Sequence, residues 1–285
     1  MAGLKDIRIR IASVRSTRKI TSAMKVVSAA KFHKAQDARA RFQRYREAYG
    51  LALSLAIAHS GSVTHPLMEA RNADAPVVYV VFSSNASLCG AYNANVMSLA
   101  AQEIRQVPGR IIAFGKKAAE SLVREGFEVE KGDEALVDRP SVHAITPVFQ
   151  QLMDAFLAGE CSQVRLVYNE FRNASLQIPV VQTLFPVMPV AGGTVDTRFE
   201  YIFEPTAQDF FAKALPHYAE LDLYAALMSS YVGEHGARMT AMTQATDNAN
   251  NLIEDLTLEY NKARQAAITN EILEIVSGAD ALRSV

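Results

Sequence analysis

Residues 228–267 read MSSYVGEHGARMTAMTQATDNANNLIEDLTLEYNKARQAA, and place Met228, Val232, His235, Met239, Met242, Thr246, Ala249, Ile253, Leu256, Tyr260, Ala263 and Ala267 alternately four and three apart. Six consecutive heptads of this kind predict the buried seam of a coiled coil. After Ala267 the register moves to Ile268, Ile272, Ile275 and Ala279. Upstream, Glu204-Pro205-Thr206 with Asp209 has capping-box spacing and marks the helix start, while Pro216 predicts a kink or a second start. Counted from Pro216, such a helix would be on the order of 100 Å long. His235 falls on a core heptad position, where a polar residue bonded to a partner can set register. A lone histidine offers no metal-ligand set, so the structural role is favoured.

The other end of the chain carries a second helical pattern. Residues 3–58 contain no Pro and, apart from Gly3 and Gly50, no Gly, and are rich in Ala, Lys, Arg, Gln and Met. Apolar residues recur as Leu4, Ile7, Ile11 and Val14, then as Ile20, Met24 and Val27, then as Ala38, Phe42, Tyr45, Tyr49, Ala52 and Ala56. This stripe predicts a coiled-coil helix whose register jumps twice, each jump locally unwinding or overwinding the supercoil. Fifty-five helical residues would span roughly 80 Å, more than a domain of this size is wide, which predicts a projecting helix.

Between the two helices the period changes. Segments 77–82, 110–114, 164–169 and 178–186 read as strands, and 93–106, 116–125 and 144–157 as helices, an alternation that predicts a small α/β sheet with a parallel part. Turn-rich loops are expected at 60–76, at 132–140 and at 189–197 with Gly192-Gly193. The organisation expected is therefore a helix over 1–60, an α/β domain over 74–190 and a helix over 206–285 that pairs with the first.

Charge is unevenly spread. Residues 1–50 hold thirteen Lys or Arg against Asp6, Asp37 and Glu47, a net +10 in a chain whose total is −1. Arg8, Arg10, Arg15, Arg18, Lys19, Lys25, Lys31 and Lys34 could neutralise phosphates, but they lie around the helix and no stacking aromatic precedes Phe32. A solvated coil exterior is the simpler reading, with Glu254, Asp255, Glu259, Glu271 and Glu274 as its acidic counterpart. Two cysteines, Cys89 and Cys161, cannot build a disulfide framework or a zinc site, and a reducing compartment is expected. Apolar runs such as 77–82 are far short of the roughly 20 residues a spanning helix needs. The opening Met1-Ala2-Gly3-Leu4-Lys5-Asp6 has no apolar signal core, which predicts a chain that stays in the cytoplasm.

Motifs for chemistry are thin. Phe114-Gly115-Lys116-Lys117 imitates a phosphate loop but lacks the spacing of a Walker sequence and the Ser or Thr that would hold magnesium. Gly90-Ala91-Tyr92-Asn93 follows the first strand without the G-x-G-x-x-G of a dinucleotide turn, so a tight strand-to-helix turn is the better reading. No cofactor and no metal are expected.

Met1-Ala2-Gly3, Ile7-Arg8, Ile11-Ala12-Ser13-Val14, Lys19-Ile20-Thr21, Ala23-Met24 and Lys34-Ala35-Gln36-Asp37 together resemble the opening of the gamma subunit of bacterial-type F-type ATP synthases. Arg238-Met239-Thr240-Ala241-Met242, Ala245-Thr246-Asp247-Asn248-Ala249 and the long run from Tyr260-Asn261-Lys262-Ala263-Arg264-Gln265 to Glu271-Ile272 are similar to that family's C-terminal signature. In the middle, Leu88-Cys89-Gly90 with Asn93 is similar to the family's segment after the first strand, with Asn85-Ala86-Ser87 standing where a charged lead-in is usual.

The resemblance implies an α/β fold class in which the N- and C-terminal helices form a long antiparallel coiled coil beside a small Rossmann-like α/β domain. It implies a non-catalytic rotor: proton-driven rotation of a ring of c subunits turns the shaft inside three alpha and three beta subunits, with epsilon at its base. Contact with beta is implied for Met24, Lys25, Arg238, Arg264, Gln265, Thr269 and Glu271. Ile272, Leu273, Ile275 and Val276 would form an apolar tip turning within a collar of the alpha and beta subunits. Tyr201, Phe203 and Glu204 match a segment that touches the c ring and epsilon. No nucleic acid partner is implied, and the location implied is the cytoplasmic face of the bacterial plasma (inner) membrane, peripheral to it through the c ring. The alternative reading from the residues is a coiled-coil adaptor tethering a nucleotide-binding α/β domain.

Overall fold

The computed structural model describes residues 3–60, 64–69, 72–188 and 201–283. The loop expected at 189–197 lies outside them. The chain divides into two compact units, one of residues 28–240 and one of 1–27 with 241–285, and two long helices contribute to both: α1 (Leu4–His59) and α6 (Ala207–Arg283).

In the larger unit the continuous apolar run Val77–Phe82 forms β1, buried along its whole length. Such a run needs cover on both faces, and gets it because alternate side chains point to opposite sides. Val78, Val80 and Phe82 pack with Ile145, Phe149, Leu152 and Phe156 of one helix and with Leu223, Ala226 and Leu227 of α6. Val77, Tyr79 and Val81 pack on the other side with Val96, Met97, Ala100 and Ile104, and with Ala118 and Leu122. The helices involved are α2 (Tyr92–Gln106), α3 (Lys116–Arg124) and α5 (Val142–Leu157), with a short α4 (Ala135–Asp138) before the last. The sheet order is β3-β2-β1-β4-β5, with β2 (Gly109–Phe114), β3 (Glu130–Lys131) and β4 (Gln163–Asn173) joined to it in parallel and β5 (Leu176–Phe185) antiparallel to β4. The expected strands and helices are all present. The two-residue β3 is additional, and α4 forms within the stretch expected as a loop at 132–140.

Helix α6 starts as its sequence predicts. The Thr206 hydroxyl accepts from the Asp209 backbone N–H at 3.1 Å and donates to the Asp209 carboxylate at 2.7 Å. Pro216 does not restart it, a departure from expectation: the helix runs unbroken for 77 residues. Ala214, Leu215, Tyr218 and Ala219 are buried on both sides of the proline, so packing holds the axis where one ladder bond is missing.

Within each unit the two long helices pair antiparallel. In the smaller unit Ile7 and Ile11 pack with Leu256, Arg18 donates to Asn250 at 3.3 Å and Thr246 bonds Thr21 at 2.9 Å. In the larger one Phe32 packs with Val232, Phe42 meets Tyr224 edge-on, and Arg46 pairs with Asp222 at 2.6 Å. Every C-terminal heptad position from Met228 to Ala267 is buried or half-buried.

The α1 register is not as the apolar pattern predicted. Ile20 and Val27 are 59% and 57% exposed, while Thr21 and Ser28 are 8% and 4% exposed. The inward positions run Ile7, Ile11, Val14, Arg18, Thr21, Lys25, Ser28, Phe32, Ala35, Arg39, Phe42, Arg46, Tyr49, Leu53 and Ala56, an unbroken alternation of four and three. There is no register jump; polar residues fill the seam instead. Thr21 fits because its hydroxyl turns back to the Arg18 carbonyl at 3.1 Å. Accordingly Ile20→Ser is expected to change stability by no more than about 0.5 kcal/mol and Ile11→Ala to cost about 2–3 kcal/mol in denaturant unfolding of the chain. Equal effects would restore the broken register.

Candidate functional site

Open α/β sheets bind ligands beyond the carboxyl ends of their strands, where strand order reverses. Here that point lies between β1 and β4, and α6 fills it. The Tyr92 hydroxyl donates to the Ser230 carbonyl at 2.8 Å, Asn169 Nδ2 donates to the Tyr92 carbonyl at 2.9 Å, and the Phe171 N–H donates to Ser229 Oγ at 2.8 Å. Burial drives the Tyr92 phenol far above its ordinary value, so it stays a neutral donor.

The phosphate-loop imitation is occupied in the same way. Gly115 turns with φ of 103°, and the first N–H groups of α3 are taken by the three residues that follow β1: Lys116 N–H by Asn85 Oδ1, Lys117 N–H by the Ser84 carbonyl, Ala118 N–H by Ser83 Oγ. The lysine ammonium groups pair with Glu134 at 3.2 Å and Glu120 at 2.7 Å. At the Gly90 turn, Asn93 caps β1 through its bonds to Ser84 and Cys89. Among the described residues no group of three His, Cys, Asp or Glu is placed to hold a metal.

His235 is buried at its heptad position, as expected, but neither ring nitrogen has a hydrogen-bond partner. The expected bonded partner is replaced by an edge-on contact with Tyr231 at 4.7 Å. Burial, then Lys31 and Arg238, push its pKa down to about 4, with Asp138 opposing. The unfolded chain binds this proton near pH 6.5 and the folded one resists it, so stability present above 6.5 is lost as pH falls toward 4. Glu234 beside it is raised by burial and runs in the opposite sense. Substituting Phe for His235 is therefore expected to remove about 3 kcal/mol of acid-side loss between pH 6.5 and 4, read from melting curves of both chains.

The residues singled out in the sequence fall in separate places. Arg264, Gln265, Thr269 and Glu271 are exposed along the end of α6, and Ile272, Leu273, Ile275 and Val276 are exposed beyond them. Met24 and Lys25 are half-buried on α1 near the Thr21–Thr246 level, about five helical turns from Arg264. Tyr201, Phe203 and Glu204 gather where α6 begins: Tyr201 lies 4.3 Å from the His59 ring, Phe203 5.8 Å from Phe211, and Glu204 lines an open hollow with Tyr49, Lys213 and His217.

Arg238 stands apart from the other expected contacts. It is 8% exposed and donates to Glu234 Oε1 at 2.6 Å, to the Ala86 carbonyl at 3.2 Å and to the Ser87 carbonyl at 3.4 Å. Sequence reading also missed the Arg46–Asp222 pair, although counting heptads outward from Phe42 reaches Arg46, and the left-handed Leu88.

Two long terminal helices with heptad seams, and a mixed, mainly parallel sheet inserted between them in sequence, define a coiled-coil protein carrying an α/β body. A family model described as ATP synthase matches residues 3–282. The chain belongs to the ATP synthase gamma chain family. It is 41% identical to the ATP synthase gamma chain of Desulforamulus reducens over 283 residues, covering 99% of this chain and 100% of that one. It is 40% identical to that of Bacteroides thetaiotaomicron, covering 98% and 99%. Its fold is similar to a chain of the Euglena gracilis mitochondrial ATP synthase OSCP/F1/c-ring structure in rotational state 3, with TM-score 0.67, 19% identity, and 99% and 95% of the two chains covered. A chain of the Tetrahymena thermophila mitochondrial ATP synthase central stalk and c-ring is also similar, with TM-score 0.56, 20% identity, and 79% and 99% covered.

Proposed function

We propose that this chain is the central rotor stalk of an F-type ATP synthase, itself non-catalytic, carrying proton-driven rotation of a c ring to three beta subunits set among three alpha subunits. In reverse it carries ATP-driven rotation to proton pumping. The base, with Tyr201, Phe203 and Glu204, contacts the c ring and epsilon. Of the residues expected at beta, Met24, Lys25, Arg264, Gln265, Thr269 and Glu271 contact it directly and Arg238, bonded within the chain, acts on it from beneath the surface. Ile272, Leu273, Ile275 and Val276 turn in the collar above, where apolar contact imposes few directional bonds. Each rotor angle must favour a different beta conformation, because only a differential interaction shifts a conformational equilibrium. The complex sits at the cytoplasmic face of the bacterial inner membrane, with this chain peripheral.

The observation that carries this reading is the last stretch of α6: up to Ala267 its seam is covered, yet Arg264, Gln265, Thr269 and Glu271 remain exposed in the matched C-terminal signature. No helix among the described residues is long and apolar enough to cross a membrane, which fits a chain that reaches the membrane through another subunit. The adaptor reading has less support, because α6, through the Ser230 carbonyl and the Ser229 hydroxyl, occupies the crevice a nucleotide would need. The test is to tag the chain in its host, extract membranes gently and weigh the intact assembly while assaying ATPase. One copy with three each of two larger nucleotide-binding chains is expected; the chain alone or with unrelated partners would overturn the reading.

A further inference from the structure

The loop of residues 85–90, between β1 and α2, is fixed at both ends. Asn85 Nδ2 donates to the Glu134 carbonyl at 2.8 Å and to Asp138 at 2.9 Å, and Cys89 is buried with Asn93 Nδ2 3.2 Å from its sulfur. Between these anchors Leu88 adopts φ of 66°, unusual for a residue with a branched side chain, and leaves that side chain 56% exposed. A strained backbone that presents an apolar side chain to solvent persists only where its surroundings over-determine it. The over-determining group is Arg238. Its fork reaches the two successive carbonyls of Ala86 and Ser87, while its other end is held by Glu234, one turn earlier on α6 and itself buried. A planar guanidinium reaches these acceptors from three separated nitrogens held in a fixed fork, whereas an ammonium offers a single nitrogen.

We propose that Arg238 is a positioning residue: braced by Glu234, it pins the 85–90 loop to α6, so that the loop and its outward Leu88 turn with the helix as one piece. Its effect on energy coupling then comes through the loop it holds and not through a bond from its own side chain to another subunit. The consequence for coupling rests on the rotor reading; the pinning itself does not.

Removing Arg238 alone would leave the Glu234 carboxylate buried and unpaired, which can unfold a protein, whereas replacing both partners by apolar groups of similar size is often tolerated. The test therefore uses the full chain in its membrane complex, with Arg238→Lys and the double variant Glu234→Met/Arg238→Met, and reads hydrogen exchange over residues 84–92 and 163–173. Proton pumping per ATP hydrolysed is measured on the same membranes. In the double variant exchange over 84–92 is expected to rise about tenfold, the loss of one to two hydrogen bonds, with 163–173 unchanged and pumping per ATP reduced while hydrolysis persists. The Lys variant should fall between it and the parent. Unaltered exchange over 84–92 in the double variant overturns the pinning, whatever pumping does, and faster exchange with full pumping overturns its role in coupling. Failure of the parent chain to purify with an ATPase would sink the rotor reading instead, and exchange on the full chain would still decide the pinning.

Discussion

ATP synthesis by energised membrane vesicles is expected to fall about tenfold when Arg264 and Gln265 are both replaced by Ala, with helix content and melting of the chain unchanged. The magnitude is that of losing one charge-assisted hydrogen bond and one neutral one to a partner, partly offset by water. The structural half follows from position. Both residues are exposed, outside the inward set of Tyr260, Ala263 and Ala267, so Ala at either leaves the seam intact and is as good a helix former as the residue it replaces. A drop in synthesis with a matching drop in melting temperature would mean damage to the coil. Unchanged synthesis would remove these side chains from the mechanism.

The largest stability effect is expected at Gly115. A Cβ there would lie 2.4 Å from the Ser83 carbonyl oxygen and 2.6 Å from Ser83 Oγ, and the backbone φ of 103° is itself one that residues with side chains rarely adopt. Ser83 cannot step aside, because its N–H bonds the Phe114 carbonyl at 2.8 Å and its hydroxyl oxygen receives the Ala118 N–H. Gly115→Ala should therefore cost about 3 kcal/mol or more in denaturant unfolding. Gly126→Ala is the control. Its φ of 91° is equally left-handed but nothing lies within 4 Å, and about 1–2 kcal/mol is expected. If the two variants melted alike, the close approach to Ser83 would not matter.

What could be read from the sequence divides along physical lines. The C-terminal seam was legible because its inward residues are nearly all apolar or small, so periodicity alone picks them out. On α1 the same rule selects Ile20 and Val27 over Thr21 and Ser28, and fails there because small hydroxyl residues can satisfy themselves on their own helix or across the seam. The core strands of the sheet were legible as apolar runs; Glu130-Lys131 was not, being two exposed charged residues held in place by β2. Of the candidate surfaces, the apolar tip and the exposed end of α6 follow from the motif and the period. The fate of Arg238 does not, since it depends on two backbone carbonyls about 150 positions away in the chain.

The hydroxyl pair in the coil also bears on what kind of motion the two helices allow. Slipping α1 by one heptad along α6 would part Thr21 from Thr246 and Arg18 from Asn250, and in one direction would set Thr246 against Val14 and Arg18 against Met242. Each cross-helix bond lost in this way costs about 0.5–1.5 kcal/mol, the threonine hydroxyls keeping the bonds to their own helices, whereas an all-leucine seam would accept the shifted alignment almost as readily as the original. The polar steps thus act as teeth against the telescoping of one helix along the other.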